Sequence, residues 1–274
     1  MGLRRIVRHG KVEEFLRRVA KAPLSALLLD YDGTLAPFSV NRHLALPYDG
    51  LTNLLQRIVD TGRTRLVIVT GRDAREVGPL LGLQPPAEVW GAHGLQRLWP
   101  DGTCEMPEIP SEVARSLDDA RRWLNYQGLQ DLAEVKPGSI AVHWRGFDDA
   151  AASELRGRIL LGWFRIAERG SLKLAEFDGG VEMRMPGFDK GHAVHTILKE
   201  IGAVPVAYLG DDATDEHAFR ALGLNGLTVL VRPEPRRTSA RIWLQAPEEL
   251  LEFLARWVET VRAPGRTRSA TSSE

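Results

Sequence analysis

Cysteine is nearly absent from this chain: Cys104 stands alone among 274 residues. No internal disulfide can form, and cysteine-rich metal sites are excluded. Long apolar runs are missing as well. None approaches the ~20 residues that span a bilayer, so no membrane partner is expected. There is no excess of either charge, because Lys+Arg and Asp+Glu both total 36. No global field then recruits nucleic acid or an anionic surface. The opening MGLRRIVRHGKVEEFLRRVAKAP is basic but lacks a continuous apolar segment with a small-residue cleavage site. A secretory signal is therefore not expected, and Glu13 and Glu14 argue against an organelle transit peptide. An amphipathic leading helix over residues 1–21 is the reading, in a cytoplasmic protein expected to be a monomer. There is no internal repeat.

Hydrophobic residues make up 43% of the chain, enough to bury a sizeable core. Short apolar runs alternate with helical patterns. Residues 24–29, 65–69 and 88–90 read as strands, and 48–61 has apolar residues at helical spacing. Such alternation argues for βαβ units, a mostly parallel sheet and helices on both faces. From about Pro107 the rhythm changes. Helices near 112–127 and 148–161 accompany short strands at 133–136, 139–145, 165–168, 172–176 and 181–185, separated by KPGS, FDGG and MPGFD. The βα rhythm resumes with a helix over 190–201, a strand over 204–209 and a helix over 214–222. Edge strands are expected at 227–231 and 241–244, then a closing helix over 247–261. The expected class is α/β: a doubly wound, mostly parallel sheet with an inserted α+β cap domain. The parts are a core over 22–106 and 187–262, a cap over 107–186 and a disordered tail over 263–274.

The stretch LLLDYDGTLAP places Asp30 and Asp32 at the mouth of a buried strand. In an open parallel sheet, ligands gather beyond the carboxyl ends of the strands. A carboxylate there can attack phosphorus, and a second can protonate the departing alkoxide and then activate water. Asp-x-Asp-Gly after a strand is also a common turn or helix cap. A second Asp-Gly-Thr, at 101–103, shows that plainer use: flanked by LWP and CEM, it reads as a hairpin turn. Three distant pieces favour chemistry at Asp30. VIVTGR puts Thr70 at another strand end, where a hydroxyl and helix-start amides can bind phosphate. GFDKGHAV puts Lys190 at a helix start, where an ammonium can neutralise phosphate charge. VAYLGDDATDE puts Asp211, Asp212 and Asp215 after a strand, where carboxylates can hold a hard cation. Each alone could be a cap, a solvated lysine or an acidic loop. Together, in one α/β chain, they point to phosphoryl chemistry.

In order, DYDGT, the Thr of VTGR, the Lys of DKG and GDDATD resemble the four signatures of the haloacid dehalogenase superfamily, in its phosphatase branch. The dehalogenase members lack the second Asp. Further segments look like the trehalose-6-phosphate phosphatases: LLLDYDGTLAPF, VTGRD, WGAHG, EVKPGSIAVHWR, GGVEMRMPGFDKGHAV and GDDATDEHAF. Thr70 stands where Ser is usual, and Ala92 where Asn is common. The resemblance implies a phosphatase acting on a small sugar phosphate, with Asp30 as nucleophile and Asp32 as acid and base. It implies Mg²⁺ bound by the Asp30 carboxylate, the Asp32 carbonyl and Asp211, with Asp212 and Asp215 orienting its waters. It implies Thr70 and Lys190 on the phosphoryl group, and Lys136, Glu182 and Glu134 on sugar hydroxyls from the cap. Lys136 and Glu182 are expected on adjacent strands, where they could instead be an ion pair. Arg72 is expected to brace its loop. His192, His195 and His217 lie on helices and are not expected to bind metal at an oxygen-rich site. Alternatives are a phosphatase for sucrose 6-phosphate or a mannosyl- or glucosyl-glycerate phosphate, a phosphomutase, and a silent interaction domain.

Overall fold

A strand covered on both faces needs apolar side chains at every position, and SALLL over Ser25–Leu29 (β1) is buried throughout. In the computed structural model, which describes residues 10–39, 45–177 and 179–262, β1 sits inside an eight-stranded sheet. The expected tail over 263–274 and the first residues of the leading helix lie outside the described residues. The chain begins with α1 (Gly10–Lys21), β1, α2 (Leu51–Val59), β2 (Thr64–Val69), α3 (Ala74–Leu81), β3 (Glu88–Gly91), β4 (Gln96–Leu98) and β5 (Cys104–Glu105). It continues through α4 (Ser111–Tyr126), β6 (Ala133–Lys136), β7 (Ser139–His143), α5 (Asp149–Arg169), β8 (Lys173–Phe177) and β9 (Gly180–Arg184). It ends with α6 (Lys190–Ile201), β10 (Val206–Gly210), α7 (Asp215–Leu222), β11 (Leu227–Val231), β12 (Ile242–Leu244) and α8 (Glu248–Arg262).

The large sheet has the order β12-β11-β10-β1-β2-β3-β4-β5. Its pairings are parallel from β12 to β3, and β4 and β5 add an antiparallel end. Alternate residues of β1 serve opposite faces. Leu27 and Leu29 join the core under α1, α2, α3 and α8, while Ala26 and Leu28 join the one under α6 and α7. The chain winds outward from β1 through β2 and β3, then returns to place β10 on the other side of β1. The strand order therefore reverses between β1 and β10, and a crevice opens at their carboxyl ends.

The second sheet, ordered β6-β7-β9-β8, is antiparallel and half-buried. Ile140, Val142, Val181 and Met183 face α4 and α5 in a core of their own. The intervening Ser139, Ala141, His143, Glu182 and Arg184 then lie on the opposite face, because strand side chains alternate.

Three expectations are corrected. Residues 165–168 are not a strand but lie inside α5. Leu155, Ile159, Trp163, Ile166 and Ala167 are buried at helical spacing, so the apolar stripe runs through the segment. The strand over 227–231 is internal, paired to both β10 and β12. The cap strands bearing Lys136 and Glu182 are not neighbours, since β7 lies between them. The turn at 101–103 is a hairpin turn as read: β4 and β5 pair across it, and Thr103 N donates to Asp101 Oδ1 at 2.8 Å.

Trp257 ties the closing helix to the rest of the core. It is fully buried, its ring lies 5.8 Å from Phe15, and its Nε1 donates to Thr64 Oγ1 at 3.0 Å. Trp257→Ala is expected to cost about 3–5 kcal/mol in urea unfolding. A cost below about 1 kcal/mol would contradict this packing.

Candidate active site

Asp30 follows β1, Thr70 follows β2 and Asp211 follows β10, so three strand ends deliver three polar residues to one crevice. All three are buried. Asp30 N donates to Leu209 O at 2.9 Å, which continues the ladder to the backbone of Asp30 itself. The chain then turns sharply, with the Tyr31 carbonyl accepting from the amides of Thr34, Leu35 and Ala36. Gly33 sits in this turn at φ +81°, and a Cβ there would meet Asp211 Oδ2 at 2.1 Å. No other residue fits, for both conformational and steric reasons.

Lys190 opens α6, whose N-cap Asp189 accepts from His192 N at 2.9 Å. Its Nζ lies 2.7 Å from Asp30 Oδ1 and 2.7 Å from Asp215 Oδ1. Asp215 is wholly buried. It also accepts from Tyr208 Oη at 2.6 Å and from the amides of Asp211 and Asp212 at 3.0 and 2.9 Å. Gly210 makes room for this carboxylate, since a Cβ there would meet its Cγ at 2.3 Å.

Burial pushes the Asp30 carboxyl up to about 7; Lys190 opposes this and Asp215 adds to it. Burial, then the charges of Asp30 and Asp215, hold Asp211 well above the usual carboxylate range. Burial alone would lower Lys190, but Asp215 and Asp30 outweigh it and raise the ammonium's pKa. The cluster thus holds more carboxylate than its ammonium balances.

Oxygens of Asp30, Asp211 and Asp215 lie within 4.8 Å of one another, the one such group among the described residues. Asp211 Oδ1 is buried and has no hydrogen-bond partner. An oxygen-only, anionic cluster with an orphaned carboxylate oxygen fits a hard cation. Asp215 is the poorest ligand of the three, because its oxygens are already taken by four donors. His192, His195 and His217 are on α6 and α7 and belong to no such group.

Asp32 is gripped by Arg72, whose Nε donates to Oδ2 at 2.7 Å and whose Nη2 donates to Oδ1 at 2.5 Å. Arg72 is 2% exposed and its guanidinium lies 4.9 Å from the Tyr31 ring centroid. The sequence suggested a brace for the loop; the bidentate partner was not visible in it. Thr70 Oγ1 accepts from Arg72 N at 3.1 Å, so the hydroxyl also shapes this turn.

The polar face of the second sheet closes the crevice into a cleft. Asp30, Asp32, Thr70, Lys190 and Asp211 line it from below, and Glu134 and Lys136 from above. Lys136 Nζ donates to Gly71 O at 3.0 Å, bridging the two sheets, and lies 3.0 Å from Glu182 Oε1. The pair meets across β7 because Ser139 between them is small, and its Oγ donates to Glu182 Oε1 at 2.8 Å. Glu182 is 2% exposed and does not line the cleft. Burial alone would raise its carboxyl, yet Lys136, His93 and Arg184 hold it down at about 2. Glu134 faces His143 Nε2 at 2.9 Å.

Sequence reading assigned no role to His93 or Phe38. His93 lies 3.4 Å from Glu182 Oε2, and burial pushes its imidazole down to about 3 despite that carboxylate. Ala92 and His93 both have left-handed backbone, φ 45° and 57°. WGAHG carried the signal, but its partner is 89 residues away in the chain. Arg145 Nη1 donates to Ser39 O at 3.3 Å, and its guanidinium lies 4.1 Å from the Phe38 ring centroid.

A trehalose-phosphatase family model matches residues 28–247 of the chain. A trehalose-phosphate phosphatase from Mycobacterium marinum is 30% identical over 248 residues, covering 85% of this chain and 61% of that protein. The Mycobacterium tuberculosis protein of the same name is 29% identical over 258 residues, covering 89% of this chain and 63% of that protein. The chain thus spans about six-tenths of the length of these relatives. The structure of the C-terminal domain of the Candida albicans trehalose-6-phosphate phosphatase superposes with a TM-score of 0.77 at 19% identity. The match covers 94% of this chain and 98% of that one and shows the shared fold.

Replacing Lys190 leaves three buried carboxyls without their ammonium. In chelating buffer near neutral pH, Lys190→Met is expected to lose about 3–5 kcal/mol against urea. A carboxyl whose folded pKa is raised stabilises the fold fully below its unfolded pKa, and that contribution is lost as pH rises through the folded value. Asp30 is such a group, at about 7. The deficit of the variant should therefore shrink toward acid pH. A deficit that grows as the pH falls would contradict the arrangement.

Proposed function

The chain belongs to the trehalose-phosphatase family, and on that premise we propose that it hydrolyses trehalose 6-phosphate to trehalose and phosphate. The observation that carries this reading is the meeting of Asp30 and Lys190 at 2.7 Å in a cleft that Asp32 also lines. Residues 22–106 and 187–262 form the catalytic core of this reading, and 107–186 the cap that closes over it.

Asp30 is the nucleophile. Lys190 favours its carboxylate form against the effect of burial and aligns one oxygen toward the cleft. A bond forms between that oxygen and phosphorus while the bond from phosphorus to the sugar oxygen breaks. Asp32 gives its proton to the departing oxygen and trehalose leaves. Asp32 then takes a proton from water, whose oxygen attacks phosphorus and frees Asp30. Thr70 and Lys190 hold the phosphoryl oxygens through both steps. Arg72 grips both oxygens of Asp32 and so holds that carboxyl at the wall of the cleft. Asp30 and Asp211, with the Asp32 carbonyl, would hold Mg²⁺, which supplies neutralising charge for the phosphoryl group. Asp215 anchors the loop that presents Asp211.

Glu134 and Lys136 meet sugar hydroxyls from the cap. Glu182 serves them from behind, holding Lys136 through an ion pair that is shielded from water. Sugar recognition of this kind depends on donors and acceptors in fixed positions.

Phosphate release should be followed with Mg²⁺ from trehalose 6-phosphate, sucrose 6-phosphate, glucose 6-phosphate and an aryl phosphate. Trehalose 6-phosphate is expected to be preferred, and a chelator to stop release. Asp30→Asn should abolish turnover and keep the thermal midpoint. Preference for another member would overturn the substrate, and substantial turnover by the variant would overturn the nucleophile. Lys136→Ala should lower kcat/KM for the sugar phosphate more than for the aryl phosphate; equal losses would remove Lys136 from recognition.

A further inference from the structure

The segment RPEPRRTSAR, residues 232–241, joins β11 to β12. Ala240 is its one buried residue, so little of its placement can come from apolar packing. Polar contacts hold it instead. Trp243 Nε1 donates to Arg232 O at 2.8 Å, and Gln245 Nε2 donates to Pro233 O at 2.6 Å. From the other side Glu216, in the first turn of α7, accepts from Arg236 Nη1 and Thr238 Oγ1, each at 2.6 Å, and from Ser239 N at 2.8 Å. The segment is thus a strap pinned from the β12 side and from α7.

Two guanidiniums of the strap reach the turn after β10. Arg236 Nη2 donates to Asp212 O at 2.6 Å, and its Nε donates to Asp211 O at 3.3 Å. Arg232 Nη1 also donates to Asp211 O, at 3.3 Å. From inside, Asp215 Oδ2 accepts from the amides of Asp211 and Asp212, and Asp215 N donates to Asp212 O at 3.1 Å. Every backbone donor and acceptor of residues 211 and 212 is therefore taken. One side chain, Arg236, meets both carbonyls. Neither arginine lines the cleft, so they act on it through the loop. That loop has a reason to spread. Asp30, Asp211 and Asp215 crowd three carboxyls around one ammonium, and like charges at such distances repel. A guanidinium near a cation site opposes the cation on charge alone. Glu216 pairs with Arg236 and offsets that charge, which leaves the geometry of the fork.

We propose that Arg236 is a positioning residue for the cation: by holding the carbonyls of Asp211 and Asp212 it keeps the Asp211 carboxylate beside Asp30 before an ion arrives, and so sets the affinity for Mg²⁺. The proposal rests on the phosphatase reading above and deepens it from the residues that would touch the ion to the one that presents them. A planar guanidinium can serve two carbonyls and a carboxylate at once. The point charge of an ammonium has no such fork.

The test is a calorimetric titration of Mg²⁺ into the whole chain, stripped with chelator and free of substrate. Arg236→Ala is expected to weaken binding about tenfold, the scale for removing a group that orients a metal ligand. Arg236→Lys keeps the charge and loses the fork, so it too should weaken binding by more than about twofold. If the alanine variant fails to fold, the lysine variant decides. Arg237→Ala removes the same charge from an exposed position of the same strap, and its affinity should stay within about twofold of the wild type. A merely structural role for Arg236 would lower the thermal midpoint in chelator and leave the Mg²⁺ affinity of the folded protein unchanged. Three results would overturn the proposal while the phosphatase reading stands. They are an affinity within about twofold of the wild type in either folded Arg236 variant, tighter binding in Arg236→Ala, and an equal loss in Arg237→Ala. A wild type that takes up no Mg²⁺ would remove the cation from the phosphatase reading, and this proposal with it.

Discussion

The ammonium of Lys190, 2.7 Å from both Asp30 and Asp215, is the contact on which the rest of the site depends. It joins three pieces of chain that are far apart in sequence: the end of β1, the start of α6 and the turn after β10. A buried ion pair of this kind is weak evidence for stability, because desolvating its charges costs about as much as their attraction returns. Its value is in placement. Asp215 spends its oxygens on Lys190, Tyr208 and two backbone amides, and so fixes the loop that carries Asp211. Arg236 holds the same loop from outside, donating to Asp212 O and to Glu216 Oε1, each at 2.6 Å. The outcome is a pair of carboxyls, Asp30 and Asp211, held close in a dry crevice with too little positive charge around them. That imbalance is a poor way to stabilise a fold and a good way to attract a cation and a phosphate together.

The two sheets solve different problems. The central strands of the large sheet are buried on both faces and mostly apolar, and the polar residues of the crevice stand where β1, β2 and β10 end. The small sheet is buried on one face, so every second residue of β6, β7 and β9 is free to be polar. Ile140, Val142, Val181 and Met183 pack on the helices. The opposite face of the same sheet supplies Lys136's contact with Gly71 and Glu182's contact with His93, both of which cross to the core. The cleft-facing surface is therefore a by-product of strand periodicity, and a change of register by one residue would bury the wrong set.

Much of the core site was legible in sequence because each residue sits within a short motif at a strand end or helix start. Asp30, Asp32, Thr70, Lys190 and Asp211 needed only local reasoning, and the structure brings all five to one cleft. Gly33 was legible for the turn, though not for its clearance of Asp211. What could not be read was pairing over distance. Arg72 lies 40 residues from Asp32, and no local pattern announces its grip. The order of the small sheet was hidden for the same reason: short strands with similar composition do not say which neighbours they choose. The strand expected at 165–168 failed because Ile166 and Ala167 fit either period, and only the stripe back to Leu155 settles them as helix.

The central claim is that Asp30, held by Lys190, takes the phosphoryl group onto its own carboxylate. The most direct measurement is to quench the protein in acid during turnover of trehalose 6-phosphate with Mg²⁺, digest it and weigh the peptides. The account predicts one added phosphoryl group on the peptide that carries Asp30, and none in the absence of substrate. Continued phosphate release with that peptide unmodified, or the group found on another residue, would contradict it.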